Sequence, residues 1–349
     1  MRDSRMLEEI RQQPEALERT LRAEIGNIER FKQRIAGRVP RLIVLAARGT
    51  SDNAAQFGRY LLEITTGIPV SLAAPSIHTL YKAKVDFRDA LVVAISQSGE
   101  STDTNLVLSS AKKRGALTVG ITSEASSSLA QLAEDVFLVH AGKERSVAAT
   151  KTYTAQLLML YLLAFALGAN VLRIGDLERL PEWAHLAVRL ESEIGSLSER
   201  YRFMDHAIVV GRGLNYANAF EFALKLMETS YVVAERFSSA DLLHGPIALV
   251  ERNFPVFVFA PSGVTRASIG DMLDKLRRLK AETVVITDPS NRAAAAKATR
   301  TIRFPRKLSE LLTPIPYIIP AQLFAARLAD HKGLNPDRPR TIQKVTRTL

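Results

Sequence analysis

The chain has 349 residues, of which 47 are Lys or Arg and 36 are Asp or Glu, so its formal net charge is +11. It is long enough for two buried cores, and its 47% apolar and 24% charged residues exclude a disordered chain, a collagen and a small disulfide scaffold. Because there is no cysteine, thiolate catalysis, iron–sulfur ligation and cysteine zinc sites are also excluded.

The N-terminal region is charged, and its basic residues alternate with glutamates. This pattern predicts a solvated amphipathic helix rather than a nucleic-acid-binding tail. No apolar stretch typical of a secretory signal precedes the first domain, and the uncharged run 157–167 is too short to span a membrane. We therefore expect a cytoplasmic protein with no nucleic-acid or membrane partner, whose excess positive charge helps to collect an anionic metabolite.

Four pairs of matching segments, 164 or 165 residues apart, indicate an internal duplication. All four pairs occur in the same order along the chain, which predicts two copies of one unit. The pairs are Arg48-Gly49 with Arg212-Gly213, Ser98-Gly99 with Ser262-Gly263, 119–122 with 284–287, and 168–170 with 333–335.

Within each copy, short apolar runs alternate with segments of helical period. This alternation is typical of a parallel sheet covered by helices on both faces. We therefore predict the α/β class, with two tandem doubly wound α/β/α domains preceded by an N-terminal helix. The predicted strands are 42–46, 70–73, 91–95, 117–121 and 136–139, then 207–210, 256–259 and 282–286; helices are predicted over 52–65, 104–114 and 220–230.

These elements divide the chain into five predicted parts. An N-terminal helical segment covers 1–38, the first α/β domain 39–172, a linker 173–199 and the second α/β domain 200–338. A C-terminal tail over 339–349 carries Lys344, which by itself is typical of a solvated tail lysine.

Two loops of the first copy follow predicted strands, at the edge where open parallel sheets bind ligands. They are 48–52 and 96–104, and the second contains five hydroxyl side chains and Gly99. Hydroxyls, loop N–H groups and a helix N-terminus together favour an anion, and without the lysine of a Walker loop a phosphate monoester fits better than a nucleoside triphosphate. Equally, these residues can simply cap a helix and form turns. The counterpart loop 260–265 has fewer hydroxyls, so we expect one phosphate site, in the first copy.

Two further features lie in the second copy. Glu221, Lys225 and Glu228 share one helical face, and their spacing alone favours a surface salt-bridge ladder. His244 precedes Gly-Pro at a predicted helix start, where the helix dipole would keep its imidazole neutral and able to move protons, although a lone histidine is more often structural than catalytic. The six histidines are scattered, and no metal-ligand spacing is found.

Together these segments resemble the sugar isomerase (SIS) family in its tandem-domain branch. That branch includes stand-alone glucosamine-6-phosphate deaminases and the isomerase half of glucosamine-6-phosphate synthase (glutamine–fructose-6-phosphate aminotransferase). The matching segments keep the family order through both copies and the tail. They are 49–51, 96–101, 146–151, 211–213, 223–230, 244–246 and 339–340 with Lys344.

The resemblance implies a role for each matching residue. Glu228 would move the proton between C1 and C2, and His244 would open the sugar ring, in related dimers from the neighbouring subunit. Lys225 would assist near the sugar oxygens, and Lys344 could form an imine with the ketose. No metal or organic cofactor is implied. The residues implied to hold the phosphate and hydroxyls are Gly49, Thr50, Ser51, Ser96, Gln97, Ser98 and Ser101, with the backbone of Val147 facing the sugar.

The resemblance also implies a homodimer with shared active sites, and we expect the helix around 157–167 to help bury its interface. Without a cysteine nucleophile this chain alone should not hydrolyse glutamine, so the expected reaction converts glucosamine 6-phosphate to fructose 6-phosphate and ammonia. Two alternatives remain: a fructosamine-phosphate deglycase or another amino sugar phosphate isomerase, and a non-catalytic phosphosugar sensor.

Overall fold

The computed structural model describes residues 4–342 and 344. Its Cα positions group into two compact units. The first-repeat unit contains residues 12–144, 149–181, 342 and 344, and the second-repeat unit contains 4–11, 145–148 and 182–341. Of the predicted tail over 339–349, the described residues are 339–342 and Lys344.

The first-repeat unit is built on a five-stranded parallel sheet. Its strands are β1 (Leu42–Ala46), β2 (Val70–Leu72), β3 (Ala90–Ile95), β4 (Leu117–Thr122) and β5 (Asp135–Leu138). Its helices are α2 (Gln13–Arg34), α3 (Thr50–Thr66), α4 (Ser76–Thr79), α5 (Thr102–Lys112), α6 (Ser128–Leu132), α7 (Lys151–Ala166) and α8 (Ile174–Leu177). The strand order is β2-β1-β3-β4-β5, and β3 and β4 are buried along their whole length, as expected for a sheet with helices on both faces.

The second-repeat unit repeats this plan. Its strands are β6 (His206–Gly211), β7 (Val233–Ser238), β8 (Pro255–Phe259), β9 (Glu282–Thr287) and β10 (Arg300–Arg303). Its helices are α1 (Arg5–Arg11), α10 (Glu191–Glu199), α11 (Tyr216–Ser230), α12 (Ser239–Leu243), α13 (Arg266–Arg278), α14 (Arg292–Lys297) and α15 (Pro314–His331). The helix α9 (Leu180–Val188) begins in the first-repeat unit and continues into the second-repeat unit. The order β7-β6-β8-β9-β10 is that of the first sheet, so the predicted fold class of two doubly wound α/β domains is confirmed.

The predicted strands all exist, but β7 and β10 were not predicted. Both are outer strands, and each carries charged residues at exposed positions, such as Glu235 and Arg236 in β7. An outer strand lacks the continuous apolar run by which the central strands were recognised. The predicted linker 173–199 is also largely helical, since it contains α8, α9 and α10.

The core of the first-repeat unit includes α7, which lies against α2 and α3. Every side chain from Lys151 to Ala164 is buried. The prediction that 157–167 helps to bury a dimer interface is therefore wrong, because 157–164 is already covered completely by this chain. No helix in the described part of the chain combines the length and apolar character needed to cross a bilayer.

The N-terminal helical segment is only partly solvated. It forms two helices, and α2 buries an apolar stripe that includes Leu17, Leu21 and Phe31, while all its charged residues except the buried Glu24 face outward. That stripe packs against α7 and β5. The helix therefore belongs to the first α/β domain rather than standing apart from it.

Candidate functional site

The loop after β1 turns sharply into α3. Gly49 has φ +58°, a left-handed conformation that glycine adopts without strain, and it stands directly before the first helical residue, Thr50. Ser51 is buried in the first turn, where its Oγ accepts a hydrogen bond of 2.9 Å from Nε2 of Gln156 in α7. Burial raises the pKa of the neighbouring Asp52, against the opposing effect of Arg48.

An ion pair joins this loop to the one after β3. Nη2 of Arg48 lies 2.6 Å from Oδ2 of Asp103, a buried carboxylate in the first turn of α5. Both predicted binding loops are thereby held at the same edge of one sheet, as the topology of parallel strands requires.

The loop 96–101 arranges its hydroxyls around the start of α5. Ser96 Oγ accepts from the N–H of Gly99 at 3.2 Å, and Ser98 Oγ accepts from the N–H of Glu100 at 3.3 Å. Ser101 is the residue before the helix, and its Oγ lies 2.9 Å from Thr104 Oγ1. A hydroxyl that accepts from the backbone can still donate its own hydrogen, so these serines and the helix N-terminus are suited to a phosphate.

Glycine is required in this loop for two reasons. Gly99 has φ +68°, and a Cβ placed on it would lie 2.2 Å from Ser127 Oγ. The loop therefore packs closely on the start of α6, which fixes its backbone.

Gln97 faces a buried carboxylate that the sequence did not reveal. Its Nε2 donates to Oε2 of Glu144 at 2.8 Å and to Oγ1 of Thr152 at 3.1 Å. The other carboxylate oxygen of Glu144 accepts from the backbone N–H groups of Thr150 at 2.8 Å and Thr152 at 3.2 Å. Glu144 stands two residues before the segment 146–151, and that position was the one sequence signal that could have drawn attention to it.

Lys344 binds the same carboxylate. Its Nζ lies 3.2 Å from Glu144 Oε2, and 28% of its side chain is exposed, so it is not the solvated tail lysine that the sequence alone suggested. Burial raises the pKa of Glu144, but Lys344 and the hydrogen bonds from Thr150 and Thr152 outweigh burial and lower the pKa below its usual range. Glu144 is thus held as a carboxylate between Gln97 and Lys344.

The charged face of α11 is buried, so the prediction of a surface salt-bridge ladder is wrong. Lys225 is completely buried, with its Nζ 2.7 Å from Glu228 Oε2 and 3.4 Å from Glu221 Oε1. Glu221 is also completely buried, whereas Glu228 keeps 24% of its side chain exposed. A buried cation thus holds one carboxylate in the interior and one at an accessible position.

His244 lies at the C-terminal end of the short helix α12 and is exposed. The residue after it begins a turn, and Pro246 opens a four-residue 3₁₀ helix, as the Gly-Pro pair predicted. His244 nevertheless does not stand at the start of a long helix, as the dipole prediction required, because it follows one five-residue helix and precedes a four-residue one.

Val147 lies half-buried in the segment 145–148 of the second-repeat unit. Glu9 of α1 holds this segment, since its carboxylate accepts from the N–H groups of Arg145 and, at 3.1 Å, Ser146. The predicted site residues are therefore divided between the units. The first-repeat unit carries Gly49, Thr50, Ser51, Ser96, Gln97, Ser98, Ser101 and Lys344, and the second-repeat unit carries Val147, Lys225, Glu228 and His244.

The loop 96–101, called the serine loop below, has a counterpart after β8 that is filled by a carboxylate of the chain itself. Glu310 Oε1 accepts from Oγ1 of Thr265 at 2.6 Å, and its Oε2 accepts from the N–H of Thr265 at 3.2 Å. A Cβ on Gly263 would lie 2.1 Å from Glu310 Oε2. The carboxylate thus lies against this loop at the start of α13, which supports the expectation of a single phosphate site in the first copy.

No group of three or more His, Asp or Glu side chains within residues 4–342 and 344 is arranged to hold a metal ion. Among the predicted site residues, the first-repeat unit supplies hydroxyls, an amide and Lys344, and the second-repeat unit supplies Lys225, Glu228 and His244.

Comparison with known proteins places these observations in a family. The SIS domain matches residues 38–166 and again 202–331. The chain is 37% identical to the isomerizing glutamine–fructose-6-phosphate aminotransferase of Pyrococcus horikoshii and 35% identical to that of Pseudomonas aeruginosa, over 97% of its own length. It spans only 57% and 58% of the length of these two curated relatives.

Solved structures match over nearly the whole chain. The C-terminal domain of glucosamine-fructose-6-phosphate aminotransferase from Francisella tularensis superposes with a TM-score of 0.88 at 29% identity, covering 97% of this chain and 99% of that one. A Silicibacter pomeroyi protein provisionally described as a phosphosugar isomerase superposes with a TM-score of 0.86 at 31% identity, covering 96% and 100%. The chain thus belongs to the SIS domain family and carries two copies of the domain.

Proposed function

We propose that the chain is an amino sugar phosphate isomerase and deaminase, which converts glucosamine 6-phosphate to fructose 6-phosphate and ammonia. The named activities of the similar proteins support a phosphosugar substrate. Loss of ammonia, rather than its transfer from glutamine, is supported by the composition, because a chain without cysteine has no thiol with which to attack glutamine.

The observation that carries this proposal is the ion pair between Lys225 and Glu228. Lys225 is completely buried and therefore fixed, whereas Glu228 is held 2.7 Å from its Nζ and remains partly exposed. A carboxylate that is held in one position and can reach a bound molecule is suited to take a proton from one carbon and return it to the next.

The other residues supply anchoring and ring opening. Ser96, Ser98 and Ser101 hold the phosphate at the start of α5, and His244 opens the sugar ring. Glu228 then removes the C2 proton of the open-chain aldose and returns a proton to C1, while the amino nitrogen loses one proton and the C1 oxygen gains one, so that the nitrogen becomes doubly bonded to C2. Water adds to C2 and ammonia leaves. Lys344 can form an imine with the ketose at the same carbon.

The test is Glu228→Gln, which keeps the size of the side chain and removes its basicity. Ammonia release is measured over a panel of amino sugar phosphates and fructosamine phosphates, together with exchange of the C2 proton for solvent deuterium. We expect kcat to fall by about 10²–10⁴-fold and exchange to slow in parallel, while substrate binding stays nearly unchanged.

Glu282→Gln is the matched control, because that carboxylate lies in the same unit and binds Tyr201 and Arg200. Normal turnover by Glu228→Gln would reject the catalytic role. A wild type that binds phosphosugars but converts none would reject the enzyme in favour of a sensor, and preferred turnover of fructosamine phosphates would make it a deglycase.

We also propose a homodimer in which His244 completes the active site of the neighbouring chain. The exposure of His244 and of the nearby Leu249, 59% exposed, supports this role. Two inactive variants, His244→Ala and Glu228→Gln, are mixed and allowed to exchange subunits. Recovery of activity is expected, since one site of each mixed dimer then has both residues intact. If the mixture stays inactive while light scattering shows mixed dimers, His244 acts within its own chain.

A further inference from the structure

Glu144 has an arrangement that neither the sequence nor the similarity to SIS proteins assigns to a role. Its carboxylate is completely buried, yet Oε2 contacts two residues expected at the sugar site, Gln97 at 2.8 Å and Lys344 at 3.2 Å. We propose that Glu144 is a positioning residue, which docks the tail through Lys344 and orients the amide of Gln97.

Glu144 is held in place and cannot move to meet its partners. Two backbone N–H groups at the start of α7, those of Thr150 and Thr152, hold Oε1. The other oxygen is therefore fixed in space, and the long, partly exposed side chain of Lys344 must come to it. The position of the Lys344 ammonium is thus set by Glu144.

Glu144 also sets the orientation of Gln97. A carboxylate only accepts hydrogen bonds, so the group of Gln97 that faces Glu144 has to be the NH₂. Both of its hydrogens are used, one by Glu144 and one by Thr152 Oγ1. The amide therefore presents its oxygen as the remaining polar group. In the proposed reaction, Gln97 would accept from a sugar hydroxyl rather than donate to the phosphate.

Docking of Lys344 can be tested without any substrate. Acetic anhydride at limiting concentration modifies lysines in proportion to their accessibility, and peptide mass spectrometry gives the rate at Lys344 relative to the exposed Lys113 of the same chain. In Glu144→Gln an amide replaces the carboxylate at equal size and loses the charge that holds Lys344. We expect the relative rate at Lys344 to rise about tenfold, the factor that one hydrogen bond to a charged group is worth.

Glu24→Gln is the matched control, because Glu24 is another buried carboxylate of the same unit, paired with His140. The relative rate at Lys344 should not change in that variant. If Glu144→Gln fails to fold, Glu144→Asp keeps the charge but withdraws it by one methylene, and an intermediate rise is expected. An unchanged rate at Lys344 in the folded variant would overturn the proposal.

The role in turnover rests on the proposed function and needs a separate measurement. If Glu144 acts on kcat through Lys344, then Glu144→Gln should lower kcat in the wild-type background but should hardly change kcat in the Lys344→Ala background. The KM should rise in both backgrounds, because Gln97 is no longer held by the carboxylate. If the kcat losses of Glu144→Gln and Lys344→Ala simply multiply in the double variant, the two residues act independently and this role is overturned. A wild type without turnover would reject the proposed function alone, since the labelling of Lys344 would still decide the docking.

Discussion

Nζ of Lys225 lies 3.4 Å from Oε1 of Glu221, one helical turn away, and neither side chain has any exposed surface. Two opposite charges have thus been taken fully out of water inside one helix. Such a pair costs desolvation energy that only its mutual contact and further hydrogen bonds offset. The stability of α11 therefore depends on keeping both members.

Lys225→Met tests this dependence. Removing the lysine leaves the Glu221 carboxylate buried without its cation, and we expect the free energy of unfolding to fall by about 3–5 kcal/mol. Urea denaturation followed by circular dichroism measures it. The double variant Lys225→Met/Glu221→Leu should recover much of the loss, because a buried pair can often be replaced by apolar side chains. A single variant as stable as the wild type would contradict the interpretation.

Gly99→Ala separates crowding from backbone strain. Both Gly99 and Gly115 have positive φ, but a Cβ meets Ser127 Oγ at 2.2 Å in the first and nothing nearer than 3.8 Å in the second. Strain at either site costs about 1–2 kcal/mol, and overpacking at Gly99 should add about 1–3 kcal/mol. Thermal unfolding of the two variants side by side gives the difference, and equal losses would show that the loop is not tightly packed on α6.

Ser96→Ala and Ser98→Ala test the phosphate loop. Each variant removes a hydroxyl donor, and a charge-assisted hydrogen bond is worth about 1.5–3 kcal/mol, so KM for a phosphorylated substrate should rise by roughly 10- to 100-fold with each. Ser109→Ala, further along α5, is the control. An unchanged KM in both loop variants would place the phosphate elsewhere.

Lys344→Ala should make the protein less stable to acid. The pKa of Glu144 lies below its ordinary value of 4.5 in the folded chain, so its carboxylate adds stability above that pH and loses it as the pH falls through the folded pKa. Lys344 is one cause of the lowering, so without it the folded pKa should rise and this loss should be complete at a higher pH. Acid titration followed by near-ultraviolet circular dichroism measures the midpoint, and Lys297→Ala, which breaks an ion pair with Asp274, is the control. An unchanged midpoint would contradict the coupling.

The central features of the fold could be predicted because they depend on local pattern. β3 and β4 are rich in apolar residues and buried throughout, and the matched Arg-Gly and Ser-Gly pairs revealed the duplication that the two equal strand orders confirm. The outer strands β7 and β10 could not be recognised, since exposed charged residues interrupt their short apolar runs and leave no regular alternation.

The candidate site was predictable only in part, for a related reason. The spacing of Glu221, Lys225 and Glu228 is the same whether the helix face is exposed to solvent or buried. The sequence alone therefore favoured the commoner interpretation, a salt-bridge ladder on the surface. Glu144 and Lys344 are 200 residues apart in the chain. A contact between residues so far apart in the chain arises from tertiary packing, which no local sequence pattern specifies.

The carboxylate of Glu310 permanently occupies the loop after β8, the counterpart in the second copy of the serine loop. The phosphate proposed to bind the serine loop (96–101) can leave, but the Glu310 carboxylate belongs to the chain and stays at the start of α13, so the second loop has no room for a phosphosugar. Titration with substrate should accordingly saturate at one equivalent per chain. Under the proposed function, duplication has separated two tasks, because phosphate binding depends on residues of the first copy and proton transfer depends on residues of the second. Selection could therefore alter the reaction without disturbing the anchor.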